Sequence, residues 1–174
     1  MASVSFTKLH LKVNTEKTVL HIGEVDVEVK QYLPLTEKIA LVERIVNQSI
    51  DNNGFYNPMR VKTYLTVEVL YAYTNINFTD KMKEEPDRMY DTFVSSGVFN
   101  QVRDAMGFGE WQAIVEDVYE TIKNIYDYRN SVFGILDNIS TNYKNLDLEA
   151  TGIQQKLQDP ESLGLLKEVL TKLG

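Results

Sequence analysis

The stretch "EVDVEVKQYLPLTEKIALVERIV", residues 24–46, changes its hydrophobic period partway along, and this change decides the fold class. From Val25 to Val29, valines alternate with charged residues, which is typical of a half-buried β-strand. After Pro34 the apolar residues recur every three or four positions as far as Val46, which predicts an α-helix with Thr36 as its N-cap. The stretch therefore predicts an α+β fold in which a small sheet precedes the helices.

Segments upstream of the valine strand extend the predicted sheet. In "KLHLKV", residues 8–13, apolar residues alternate with His10 and Lys12. Gly23 then stands where a tight turn would join residues 19–22 to the valine strand. We expect an antiparallel sheet of two or three strands, whose apolar face must pack on another element because so small a sheet is marginal alone.

The rest of the chain is predicted to form about five to seven helices. The dipeptides Asn57-Pro58 and Asp159-Pro160 each supply an N-cap followed by proline at the first helical position. No internal repeat or low-complexity linker divides the sequence. We therefore expect one α+β, mainly helical domain over residues 1–174, with a β element at 1–33 packed on a helical bundle at 34–174.

One long helix is predicted near residues 110–139. In "VEDVYETIKNIYDYRNSVFGILDNI", residues 115–139, large apolar side chains recur at alternating steps of three and four. Their arc spans roughly 160°, which is too wide for a two-stranded coiled coil. The pattern favours a central helix of a bundle that touches two or more neighbours.

The same helix carries the predicted partner-contact residues Tyr119, Tyr126, Tyr128 and Arg129. Tyrosine is common at interfaces because it combines a large apolar ring with a polar hydroxyl. The alternative for the tyrosines is a core lined by their rings. Arg129 occupies an apolar position, so either its stem packs while the guanidinium reaches solvent or an acid, or it forms a buried pair or a contact to a partner chain. Gly134 would allow close approach of a neighbour or mark a bend.

Charge and composition exclude several classes of function. The net charge is −7 and no segment is basic, so we expect no nucleic-acid binding. The sequence has no apolar run long enough to span a bilayer and no layout of a secretory signal, so we expect no membrane association and no secretion by a signal peptide. Zero cysteines exclude disulfides and thiolate chemistry, and they fit a reducing cytoplasm.

No catalytic, cofactor-binding or metal-binding signature is present in the sequence. His10 and His21 lack the spacing of a metal site, and no nucleophile elbow accompanies them. The segment "GFGEW" lacks the third glycine and the preceding strand of a dinucleotide fingerprint. We therefore expect a protein that is not an enzyme and uses no cofactor.

Four stretches, "VEVKQYLPLTEKIALVERIV", "YAYTNINFTDK", "YRNSVFGILDNIS" and "LLKEVLTKLG", resemble small proteins encoded by tailed bacteriophages and prophages of Gram-positive bacteria. The resemblance covers roughly residues 20–174. It implies a structural or morphogenesis protein of the virion, in tail or head assembly, that acts through contacts with other phage structural proteins or with itself as a homo-oligomer. Such a protein would work in the host bacterial cytoplasm during assembly, or in the virion. The alternative is an acidic phage-encoded inhibitor that binds a host enzyme or defence complex.

Overall fold

A computed structural model of the chain describes residues 3–51 and 54–145. It confirms an α+β, mainly helical fold with an antiparallel sheet near the N-terminus. The chain forms two compact units, Met1–Asn124 and Ile125–Gly174. In the described ranges the strands are β1 (Lys17–Ile22) and β2 (Val25–Lys30), and the helices are α1 (Leu35–Gln48), α2 (Pro58–Tyr73), α3 (Asp80–Lys83), α4 (Pro86–Ser95), α5 (Val98–Ala105), α6 (Glu110–Arg129) and α7 (Val132–Asn145).

The sheet is a two-stranded hairpin rather than three strands. β1 pairs with β2 from Lys17 opposite Lys30 to Ile22 opposite Val25, and Gly23 makes the turn with φ of +62°. Val27 and Val29 are buried, so one face of the hairpin rests on the helices as expected.

The predicted strand at residues 8–13 is wrong. Phe6–Leu9 form one turn of 3₁₀-helix, His10 follows in the left-handed region, and residues 11–16 have no regular structure. Period-two alternation marks a strand only where a neighbouring strand satisfies its backbone groups, and in the described part of the chain β1 has no neighbour except β2.

Helix α2 is the most buried element of the first unit. Asn57 caps it by accepting hydrogen bonds from the backbone N–H groups of Met59 and Arg60, and Pro58 occupies the first helical position, as predicted. Nine of its sixteen residues are buried, on all sides of the helix. Helix α1 packs on it through Leu41, Val42, Ile45 and Val46.

The predicted N-cap of α1 is wrong by two residues. The helix begins at Leu35 with Pro34 in the capping position, where φ is −55° and ψ is 146°. Thr36 therefore lies inside the first turn and does not cap it. Proline sets its own φ near the helical value, which lets the helix begin directly after it.

The loop before α6 is held against the sheet by a close backbone approach. Gly107 donates its N–H to the carbonyl oxygen of Gln31 at 2.8 Å, and a β-carbon at Gly107 would meet that oxygen at 2.4 Å. Glycine is needed here because any side chain would displace the loop. Just beyond it, Trp111 packs edge-to-face on Phe99 with ring centroids 5.4 Å apart.

The single helix predicted near residues 110–139 is instead divided into α6 and α7 at Asn130 and Ser131. The Asn130 amide and the Ser131 hydroxyl both donate to backbone carbonyls of the preceding turn, which ends α6. Ser131 then caps α7, because its Oγ accepts from the N–H of Gly134 at 3.1 Å. A β-carbon at Gly134 would lie 2.0 Å from the Tyr128 carbonyl oxygen, so Gly134 marks the predicted bend.

The prediction that this helix is the central element of a bundle stays a prediction. The buried residues of α6 are Glu110, Ile114 and Val118, all in its first half. The predicted last helix, which would start at Asp159-Pro160, lies outside the described residues. The prediction of one domain over 1–174 stays a prediction.

Candidate partner-contact surface

The four predicted contact residues all lie on α6. Tyr119 belongs to the first unit and is 46% exposed, while Tyr126 and Tyr128 belong to the second and are 58% and 54% exposed. Arg129 is also exposed, so the hypothesis that it forms a buried pair is wrong. These side chains are accessible, and their role in partner contact stays a prediction.

The second-unit residues do not form one patch. At about 100° per residue, Tyr126 and Arg129 lie on one side of the helix and Tyr128 lies about 160° from Tyr126. A single flat partner would therefore meet either Tyr126 with Arg129 or Tyr128. The helical positions of these residues follow from their spacing in the sequence. The prediction grouped them by residue type and did not consider on which side of the helix each one lies.

Helix α7 presents a more continuous apolar surface than the tyrosines do. Five large apolar side chains within eight residues are exposed: Val132, Phe133, Ile135, Leu136 and Ile139. We call them the α7 row. Val132, Leu136 and Ile139 follow the spacing i, i+4, i+7, which places them on one face of the helix. Large exposed apolar patches on soluble proteins mark interaction sites.

A second exposed apolar segment lies at the N-terminus, and we call residues 3–15 the N-terminal arm. Its large apolar side chains all point into solvent: Val4, Phe6, Leu9, Leu11 and Val13. The hydrogen bonds described for it are local, such as that from Lys8 N to Ser5 O. Sequence reasoning identified the alternation of this segment but assigned it to a sheet.

A cleft with a volume near 570 Å³ lies between α1, α2 and the start of α4. Arg44 donates from Nε to Glu68 Oε2 at 2.8 Å across it, and Lys83 and Glu84 stand at its rim. The Tyr71 hydroxyl is buried and has no described hydrogen-bond partner. Burial, with smaller contributions from Glu68 and Tyr64, raises the pKa of Tyr71. With both signs of charge at its rim, the cleft does not select one charge type of ligand.

A buried carboxylate organises the centre of the first unit. Glu110 Oε1 accepts from the Tyr73 hydroxyl at 2.6 Å and from the Leu33 N–H at 3.0 Å. Lys38 Nζ donates to its other oxygen at 3.0 Å and lies 4.6 Å from the centre of the Tyr32 ring. This network ties α6 to α1, α2 and the link after β2, and its geometry is that of a structural ion pair.

The hydrogen bonds of this network shift the titration of both acids in it. Burial alone would raise the pKa of Glu110, but the hydrogen bonds from Tyr73, Lys38 and Leu33 and the charge of Lys38 outweigh it and lower that pKa. Burial, followed by the hydrogen bond to Glu110, raises the pKa of Tyr73 well above its usual range. Glu110 is therefore ionised and Tyr73 protonated at neutral pH.

The two histidines lie on the surface. His21 pairs with Asp26 across the hairpin, and both side chains are largely exposed. His10 is exposed in the N-terminal arm. Within residues 3–51 and 54–145, no group of three or more histidine and acidic side chains is arranged to hold a metal ion. In the same part of the chain, no helix has both the length and the apolar character needed to cross a membrane.

Comparison of the chain with protein-family models, with curated proteins and with solved structures found no match in any of the three.

Proposed function

We propose that this chain is a non-enzymatic structural or assembly protein of a tailed bacteriophage, and that it acts through protein–protein contacts. The sequence resemblance to small phage and prophage proteins supports the phage origin. The α7 row is the structural observation that supports action through protein contacts.

Exposing an apolar helix face to water is unfavourable in free energy, and burying it against a partner is favourable. Burying a side chain such as Leu136 removes its apolar area from solvent, which contributes about 1.5–3 kcal/mol per fully buried residue. Helix faces that present apolar residues at i, i+4 and i+7 dock into grooves or against other helices. We therefore assign the α7 row as the principal contact with another virion component.

Because Tyr126 and Tyr128 lie on opposite sides of α6, one of the two extends this contact on the same unit. Tyr126 and Tyr128 are aromatic residues with free area for a partner, and such residues carry much of the binding energy at interfaces. The cytoplasm of the infected bacterium, or the particle itself, is the proposed location of the contact.

A charge introduced into the α7 row tests the proposal. Leu136→Asp places a carboxylate in the middle of the row, and Asn138→Asp, on another side of the helix, adds the same charge outside it. Binding of the full chain to virions and to tail or head assembly intermediates is measured for both variants. We expect Leu136→Asp to weaken binding by about tenfold or more, because an unpaired carboxylate would be buried at the contact, and Asn138→Asp to bind like the wild type.

Two outcomes contradict the proposal. One is that the wild-type chain binds no particle component and is missing from assembly intermediates. The other is that it binds a host enzyme or defence complex in place of particle components, as the inhibitor alternative requires.

A further inference from the structure

The sheet edge formed by β1 is open and directs backbone hydrogen-bonding groups outward. In an antiparallel pair, residues alternate between those that bond across the pair and those that point away from it. Glu28 of β2 points away, because its N–H donates to the Asn75 side chain and its carbonyl oxygen accepts from the Asn75 N–H. Val19 is opposite Glu28, so the N–H and C=O of Val19 point away on the other side.

The same alternation fixes the other groups on this edge. Lys17 and His21 lie two residues on either side of Val19 and also direct their N–H and C=O groups outward. In the described part of the chain, the sheet has only the order β1–β2, so no strand pairs with these groups. The edge is thus ready for strand addition.

The N-terminal arm has the sequence of the missing strand. Leu9, Leu11 and Val13 alternate with polar residues, so an extended arm would place these three on one face. Leu20 and Ile22 of β1 are only half-buried, and they lie on the face of the hairpin that packs on the core. A strand beside β1 would bring the apolar side of the arm next to them.

The arm cannot readily pair with its own β1. The ladder already reaches Glu16, whose carbonyl oxygen accepts from Gln31 N, and Glu16 N is bonded to the Asn14 side chain. That leaves Asn14 and Thr15 to reverse the chain. The two-residue turns that suit hairpins require positive φ at both loop residues or glycine at the first, and β-branched Thr15 disfavours positive φ. His10 is the non-glycine residue with positive φ in the described chain, at +50°, a conformation that an extended strand would relieve.

Charge selects the occupant of the edge. Residues 1–15 carry two lysines and no acid, a charge of +2, so the remaining residues carry −9 of the total of −7. Opposite net charges therefore favour an encounter between the arm of one copy and the body of another. We propose that the N-terminal arm of one copy adds as a strand to the β1 edge of a second copy.

This inference concerns a different surface from the proposed function and does not rest on it. Its test uses one variant on each half of the contact. Leu11→Asp places a charge on the apolar side of the arm. Val19→Pro removes an outward N–H from the edge without removing a hydrogen bond of the β1–β2 ladder, since proline is tolerated on strand edges.

Each variant has a matched control. Leu35→Asp puts the same charge at a leucine of α1 that is 67% exposed, compared with 66% for Leu11. Val19→Thr keeps the β-branched side chain and the N–H. Mass is measured by sedimentation over a range of concentrations, and circular dichroism checks that each variant is folded.

We expect the wild type and both controls to exceed the single-chain mass of 20.0 kDa as concentration rises. We expect Leu11→Asp and Val19→Pro each to weaken self-association at least about tenfold. A mixture of the two variants should be heavier than either alone, because the intact arm of the Val19→Pro chain can use the intact edge of the Leu11→Asp chain.

A wild type that stays a single chain at all concentrations overturns the proposal. The proposal is also overturned if either variant, measured alone, self-associates as strongly as the wild type. A mixture no heavier than its components also overturns it. Leu11 is exposed and lies outside the core, so the arm variant remains informative even if Val19→Pro fails to fold. Loss of particle binding in Leu136→Asp has no bearing on these results, so the two proposals fail separately.

Discussion

The buried Glu110 side chain connects α6 to α1, α2 and the link after β2 through its hydrogen bonds and its ion pair. Replacing it with glutamine keeps the shape of the side chain but removes the negative charge that faces Lys38. The hydroxyl of Tyr73, the N–H of Leu33 and the Lys38 ammonium would then compete for the one amide oxygen. We expect Glu110→Gln to lower the free energy of unfolding by about 2–4 kcal/mol. Urea unfolding followed by circular dichroism measures this change. Glu120→Gln, at an exposed position of the same helix, should change it by less than about 0.5 kcal/mol.

The same carboxylate predicts a pH dependence. Because folding lowers the pKa of Glu110, its contribution to stability is present above its ordinary pKa of 4.5 and is lost as pH falls through the lower folded value. The gap in unfolding free energy between the wild type and Glu110→Gln should therefore be widest near neutral pH and should narrow in acid. A gap that stays constant down to the acid limit would contradict the assignment of an ionised Glu110.

Gly134 offers a test in which two effects have opposite signs. Helix propensity alone predicts that Gly134→Ala stabilises α7 by about 1 kcal/mol. The 2.0 Å approach of a β-carbon to the Tyr128 carbonyl oxygen predicts the reverse, because that oxygen is backbone and cannot yield easily. We expect faster amide hydrogen exchange in α7 for Gly134→Ala, and no acceleration for Ser140→Ala on the same helix.

At the scale of the element, α2 depends on its cap. Asn57 satisfies two of the N–H groups that the first turn leaves without intrahelical partners. Asn57→Ala should lower the free energy of unfolding by about 1 kcal/mol, measured in urea. Asn47→Ala, at an exposed position inside α1, serves as the control and should have little effect or a slight stabilising one.

Elements set by local chemistry were predictable from the sequence, and elements set by distant partners were not. The Asn57-Pro58 start and the turn at Gly23 depend on neighbouring residues, and both were predicted. The Glu110 network joins residues as far as 77 positions apart, so no local pattern indicates it. The break between α6 and α7 was missed because the apolar spacing continues across it, although Asn130, Ser131 and Gly134 together give the local signal for a break.

The proposed contact surface could be read from the sequence only in part. The tyrosines of α6 were identified by residue type, and they are exposed. The α7 row was predicted to belong to the apolar face of a central bundle helix. Its exposure could not be read from the spacing, since the same spacing describes a helix face that is covered. The arm was predicted to be a strand because its apolar residues alternate. Alternation predicts which side chains would share one face of a strand, but it does not identify the strand that would pair with the arm.

At the scale of the molecule, the uneven charge makes the proposed self-association sensitive to salt. Attraction between the +2 arm and the acidic body is screened as ionic strength rises. We expect the dissociation constant to increase with salt, and Lys12→Glu to weaken association and to reduce this dependence. Lys62→Glu, which changes an exposed lysine of the body, should not weaken it. Association that is equally strong at low and high salt would contradict an electrostatic role for the arm.

Because Trp111 packs edge-to-face on Phe99, its intrinsic fluorescence can report on the folding of this part of the protein. The chain has one tryptophan, so the intrinsic emission comes from a single place, the first turn of α6 beside Glu110. Solvent entering there on unfolding would shift the emission to longer wavelength without any added dye. Since the chain also has no cysteine, a single introduced thiol could carry an acceptor dye, and energy transfer from Trp111 would report the distance to any chosen position.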